Sequence, residues 1–315
     1  MSEPGKNHTY PPQPVSWTTR DTLLFALSIG CTPPAEQHFI YELHPSFTPF
    51  PTYPIILPFK GTSSDIIDFY ASQSSSGRGA IPGVPPLDST RVVDGERQME
   101  FLLPLPRSSS GRNFEIRSRV IGVYDKGKPG TVVETEQVLV DADTGDVYTR
   151  AVGSGFFVGQ GGWGGPKGPK TVAYPPPSGR GGAPDRVFEC ATDDTSAMLY
   201  RLNGDYNPLH ATPEPGRKMG FGGEILHGLF SWNTTARGLL RWLGGGEAAN
   251  LKTFAARFAA PVKPGDKLVT KVWRGNKGAD GFEEVRFETS VEGGKTVLSN
   301  GRAVMRVVGE AKAKL

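Results

Sequence analysis

An acid, an amide and an imidazole stand close together in one short stretch, Gly204-Asp205-Tyr206-Asn207-Pro208-Leu209-His210. A carboxylate and an imidazole that share a reach can take a proton from a bound water and return it elsewhere, which is general acid–base chemistry. A second imidazole, His227, precedes Gly228 at the start of a helix-like run. The first N–H groups of a helix have no partner within it and lie at the positive end of its dipole, and glycine adds no side chain to keep a substrate oxygen away. The pattern therefore offers proton transfer beside a site for developing negative charge on oxygen. Taken locally, each piece has a plainer reading: Asp-x-Asn-Pro is an Asx-type turn, and His227 is a helix-start residue bonded to backbone.

The elements that must position these groups are legible. Gly204 and Pro208 punctuate the loop, and a residue before proline is held extended, so Asn207 projects from a fixed, irregular segment. Leu226, Leu229, Phe230, Asn233, Ala236, Leu239, Leu240 and Leu243 recur at spacings of three and four. Such a stripe predicts one long buried helix, broken only by Asn233.

A chain of 315 residues with 37% hydrophobic residues has enough length for two ordinary domains and enough apolar content for real cores. Its net charge of +3 is slight and its cations are scattered, which argues against nucleic acid as a partner. Cys31 and Cys190 lie far apart and form neither a disulfide framework nor a zinc motif. No apolar run reaches membrane-spanning length, and the first residues lack the apolar core of a signal peptide. Gly159 to Gly168 lacks the spacing of a phosphate loop.

An internal repeat organises the chain. Phe25 to Gly30 (FALSIG) resembles Tyr200 to Gly204 (YRLNG), and Met99 to Pro106 (MEFLLPLP) echoes Ala256 to Pro264 (ARFAAPVKP). Val123 to Val140 parallels Val272 to Val291 as two alternating strands around a glycine-containing turn. Gly159 to Pro184 reads as a Gly/Pro-rich linker between the copies. Each copy is expected to be a helix followed by antiparallel strands, an α+β pattern. The first copy has Gly30-Cys31-Thr32-Pro33-Pro34 where the second carries Asp205, Asn207 and His210. Its counterpart of the long helix is expected, short and partly polar, around Ser64 to Gln73.

Tyr200 to His210, with Ile225-Leu226-His227-Gly228-Leu229 and Ala256 to Asp266 (ARFAAPVKPGD), resembles the signature of the MaoC-like, (R)-specific enoyl-CoA hydratases of type 2. The first half, including Thr18 to Gly30 and Val123 to Lys128, resembles the inactive repeat of their eukaryotic, peroxisomal members. The resemblance implies a double hot-dog: two antiparallel sheets, each wrapped around a central helix, with a degenerate N-terminal repeat. It further implies residues 1–158 as the non-catalytic repeat, 159–184 as linker, 185–310 as the catalytic repeat and 311–315 as a targeting tail. The implied reaction is reversible hydration of trans-2-enoyl-CoA to (3R)-3-hydroxyacyl-CoA, with no metal or redox cofactor, CoA being part of the substrate.

Residue by residue, Asp205 and His210 match the acid–base pair, Asn207 the amide that orders it, and Gly228 the glycine whose N–H meets the thioester oxygen. Gly95, Lys126 and Phe258 match acyl-CoA contacts, and Tyr206, Pro208 and Leu209 lie in the same signature. Asp94 departs from the pattern, because the family usually has His before that glycine. Which of Asp205 and His210 handles the C2 proton stays open. So do a dehydratase for a specialised acyl-CoA, a hot-dog thioesterase and a non-catalytic acyl-CoA binder. The family also implies a homodimer. The chain ends Ala313-Lys314-Leu315, similar to the tripeptide read by peroxisomal import receptors, which points to the peroxisome.

Overall fold

The computed structural model describes residues 3–71, 79–177 and 182–312. Its strands are β1 (Gln13–Val15), β2 (Val92–Phe101), β3 (Phe114–Asp125), β4 (Gly130–Asp141), β5 (Val147–Val158), β6 (Arg186–Ala191), β7 (Leu251–Phe258), β8 (Lys267–Lys277), β9 (Glu283–Val291) and β10 (Thr296–Met305). The helices are α1 (Thr19–Ser28), α2 (Gln37–Ile40), α3 (Leu57–Lys60), α4 (Ser196–Arg201), α5 (Pro213–Lys218) and α6 (Gly228–Trp242).

All ten strands join one sheet in the order β1-β3-β4-β5-β2-β7-β10-β9-β8-β6, and every pairing is antiparallel. Read outward from the β2–β7 seam, the two halves repeat the same order, so the fold is a double hot-dog with internal pseudo-two-fold symmetry. The segments similar in sequence meet in space. Met99 pairs with Phe254 across the seam. The Phe25 and Tyr200 rings lie 6.5 Å apart, and Asn203 Nδ2 donates to Ser28 Oγ at 2.8 Å.

The predicted long helix is α6, fifteen residues running from Gly228 to Trp242. Burial explains its weak polar face: Trp232, Asn233, Ala236 and Leu239 are fully enclosed, and Trp232 packs edge-on against Phe254 of β7. Removing an indole from such a site costs about 3–5 kcal/mol. Asn233, the break in the apolar stripe, donates to Tyr200 Oη at 2.9 Å and to Leu229 O at 2.8 Å. At the far end, buried Glu36 accepts from Arg237 Nε and Nη2 and from Arg241 Nη1, tying the first half to α6.

The expected N-terminal counterpart helix at Ser64 to Gln73 is not where the first half fills its sheet. Residues 72–78 lie outside the described residues, and within 64–71 the side chains of Ile66 and Tyr70 are 58% and 69% exposed. The buried filler is instead Phe50 to Lys60, a 3₁₀ turn at Tyr53–Ile56 running into α3, with Phe50, Tyr53, Ile56 and Leu57 enclosed. Pro51, Pro54 and Pro58 remove backbone donors and keep this apolar run from becoming one long helix.

The Gly/Pro-rich connection lies against the strands of both halves. The Asp125 carboxylate accepts from the N–H groups of Gly162, Gly164, Gly165 and Gly127, and these bonds hold it below the usual carboxylate range. Further on, Tyr174 N donates to Asn300 Oδ1, and Arg302 covers the Tyr174 ring. Among the described residues, no helix is long and apolar enough to cross a membrane.

Candidate active site

The loop after α4 and the first turn of α6 converge. Gly204 takes a positive φ of 125°, and a Cβ there would lie 2.8 Å from the Lys60 Cα, so only glycine lets the chain turn this close to α3. The two local turns expected of the sequence both form: Asp205 Oδ1 accepts from Asn207 N at 3.3 Å, and Asn207 Oδ1 accepts from Leu209 N at 3.0 Å. With Pro208 at its first position, the 3₁₀ turn Pro208–His210 carries His210 inward, where it is buried. The bland reading of this loop is thus correct locally, and the same turns aim the acid and the imidazole.

Both imidazoles are fixed by main-chain carbonyls. His210 Nδ1 donates to Ile225 O at 2.8 Å, and His227 Nε2 donates to Asp205 O at 3.0 Å. A carbonyl only accepts, so the protons sit on those nitrogens and leave lone pairs on His210 Nε2 and His227 Nδ1. His227 therefore has the backbone-bonded role expected for it. Its Nδ1 is buried without a hydrogen-bond partner. One ligand-type atom each of Asp205, His210 and His227 lies within 4.8 Å of the other two. A single water bridges such a span with two bonds of ordinary length. The same three atoms could ligate a transition-metal ion, their donor set being two imidazoles and a carboxylate.

Burial dominates the electrostatics. It raises the Asp205 carboxyl above its ordinary value, opposed by His210, and it lowers the His210 imidazole, opposed by the Asp205 charge. The two groups are thereby drawn toward each other in proton affinity, so a proton passes between them and a substrate at small cost. Burial, with His210 adjacent, also lowers His227 and keeps it neutral.

Gly228 begins α6 and is exposed, with His227 before it at extended angles of φ −56° and ψ 135° and no side-chain cap. A Cβ at Gly228 would meet the Phe258 ring at 3.2 Å. The helix start is thus open to an oxygen and closely walled by Phe258. Next to Phe258 across the seam lies the β2 bulge at Gly95, with Asp94 beside it. Asp94 adds a negative charge that raises both Asp205 and His210. Tyr206 stands under Arg201, whose Cζ is 5.4 Å from the ring centre. Lys126 occupies the β3–β4 turn, where Nζ donates to Lys167 O at 2.5 Å, and it makes no hydrogen bond to the cluster among the described residues. Sequence reasoning missed Tyr200, whose ring lies 5.0 Å from His227 and whose hydroxyl accepts from Asn233; the polar break in the α6 stripe was the signal for it.

These features define a double hot-dog with one acid–base loop, and comparison agrees: residues 179–297 match the MaoC like domain and residues 15–159 the MFE-2 hydratase 2 N-terminal domain. The chain belongs to the MaoC-like type 2 hydratase family, hydro-lyases that act in fatty acid metabolism. It is 51% identical to "Probable dehydratase NIT22" of Ajellomyces capsulatus, over 94% of this chain and 80% of that protein. It is 30% identical to "Probable enoyl-CoA hydratase 2" of Dictyostelium discoideum, over 96% and 95%, and 29% identical to "Enoyl-CoA hydratase 2, peroxisomal" of Arabidopsis thaliana, over 93% and 91%. Among solved structures, the MaoC-like dehydratase from Phytophthora capsici superposes with a TM-score of 0.80 at 33% identity, covering 94% of each chain.

Proposed function

We propose that the protein reversibly hydrates trans-2-enoyl-CoA to (3R)-3-hydroxyacyl-CoA. One observation carries the reading: Asp205 and His210 present acid–base atoms to a shared space beside the uncapped start of α6. Addition of water across C2=C3 needs a base for the water, a proton for C2 and a donor for the enolate oxygen of the thioester. Asp205 is the base toward water, His210 Nε2 shares the water and passes protons, Asn207 orders the loop, and the Gly228 N–H stabilises the oxyanion. Phe258, Tyr206, Pro208 and Leu209 wall the reacting end of the acyl group. Gly95 and Asp94 bound it from the first repeat, and the Lys126 ammonium is assigned to the CoA handle. No metal or redox group enters these steps.

In this reading residues 1–158 shape the acyl-CoA site, 159–184 connect, 185–310 carry the chemistry and 311–315 form the targeting tail. A homodimer follows from the family. The relative named as peroxisomal supports that compartment; the proposed address, Ala313-Lys314-Leu315, lies outside the described residues.

A trans-2-enoyl-CoA series of graded chain length tests the reading. Hydration removes the conjugated enoyl absorbance without free thiol. Release of CoA thiol would make the protein a thioesterase, and binding with neither change would make it an acyl-CoA binder.

A further inference from the structure

We infer that Asp94 and Arg97 form a polar specificity element in the acyl channel, selecting chains that carry a neutral oxygen function, a hydroxyl or ketone, beyond C3. The inference rests on the hydratase reading and concerns the far part of its substrate.

In a regular strand, residues three apart point to opposite faces. Here the bulge at Gly95 restores them to one face: Asp94 pairs with Gly155 and Arg97 with Gly153, two residues apart on β5. That face is the inner one, since Met99, the next alternate residue, is buried in the core. On β7 the partner of Arg97 is the buried Ala256, two residues before the Phe258 that walls Gly228. The Arg97 carbonyl accepts from Trp232 Nε1 of α6 at 3.3 Å. The pair therefore sits beside the start of α6, and Arg97 lies two residues along β2 from Gly95, ~7 Å at the rise of a strand.

The space is built for a guanidinium. A Cβ at Gly153 would lie 2.1 Å from Arg97 Nη1. Arg97 Nη2 donates to Asp94 Oδ1 at 2.6 Å, yet Arg97 Nε is buried with no partner. On the same face stand Thr135, opposite Gly153, and Gln137, opposite Ala151. Gln137 lines a small cavity with Met99, Leu139 and Pro54. A polar strip thus crosses the inner face of the first half's strands.

Charge selects the occupant. Asp94 and Arg97 neutralise each other, so a carboxylate-bearing chain would have to displace Asp94 and then face it. A purely alkyl chain covers the strip and leaves the Arg97 donor unmet. A hydroxyl or ketone supplies the missing acceptor without adding charge.

The test compares kcat/KM for trans-2-enoyl-CoAs of equal length, one alkyl and the others with a hydroxyl moved carbon by carbon along the chain. The wild-type protein is expected to favour at least one hydroxylated substrate by about 10- to 100-fold, the worth of one buried donor. The preference should appear in KM, because an oxygen carried beyond C3 takes no part in the proton transfers at C2 and C3. Arg97→Met is expected to collapse the ratio toward one, and Arg97→Lys, which keeps the pairing with Asp94, to retain part of it. A pair with only a structural role would lower both substrates alike. Hydration with a wild-type ratio near one at every position, or a ratio unchanged in Arg97→Met, overturns this inference alone. Failure to hydrate any enoyl-CoA overturns the reading of function with it.

Discussion

The His210 and His227 rings stack face to face, centroids 3.7 Å apart and planes 28° apart, and each spends one ring nitrogen on a main-chain carbonyl. His227 is the support: it backs the His210 ring and ties the start of α6 to the Asp205 carbonyl.

That role predicts a pH signature in stability. His227 is held below its ordinary 6.5 in the fold, so the unfolded chain binds more protons once pH falls under that value. Its contribution is complete above 6.5 and is lost as pH drops toward the folded value. The thermal midpoint of the wild type should fall between about pH 7 and about pH 5. His227→Gln keeps a donor for Asp205 O and cannot titrate, and should give a shallower slope. Equal slopes would remove His227 from this account.

Activity has its own dependence. Asp205 must be ionised to act on water, and burial raises its carboxyl above 3.8 while lowering His210 below 6.5. The acid limb of kcat/KM is therefore expected above the ordinary aspartate value, with activity lost as pH falls. Asp94→Asn removes a negative charge that raises both groups, and should move the limb to lower pH. A limb that stays put or moves upward would separate Asp94 from the pair.

Gly228 sets a different test. A side chain there meets Phe258 and covers the open N–H groups. Gly228→Val is expected to impair both substrate binding and turnover, the latter by about 10²- to 10³-fold, as for loss of one oxyanion donor. Turnover near wild type would place the thioester oxygen elsewhere.

Much of this was legible in the sequence because it is local. Turn chemistry at Asp205 and Asn207, the stripe of α6 and the paired segments of the repeat are short-range signals, and each is realised. The first half's filler was misplaced because a proline-broken apolar run has no period, whereas Ser64 to Gln73 mimics one. Arg97 was invisible for a geometric reason: its contact with Asp94 exists only because Gly95 is an extra residue in β2, a fact of register. The stacking of His210 on His227 likewise depends on how two separate segments meet.

The measurement closest to the central claim is the rate of enoyl-CoA hydration by Asp205→Asn, His210→Ala and the double variant, each checked for folding. Either single change should lower kcat by about 10²- to 10⁴-fold. The double variant should lose far less than the product of the two, since groups sharing one water act as a unit. Folded single variants that hydrate near the wild-type rate would contradict the account and return the loop to an ordinary turn.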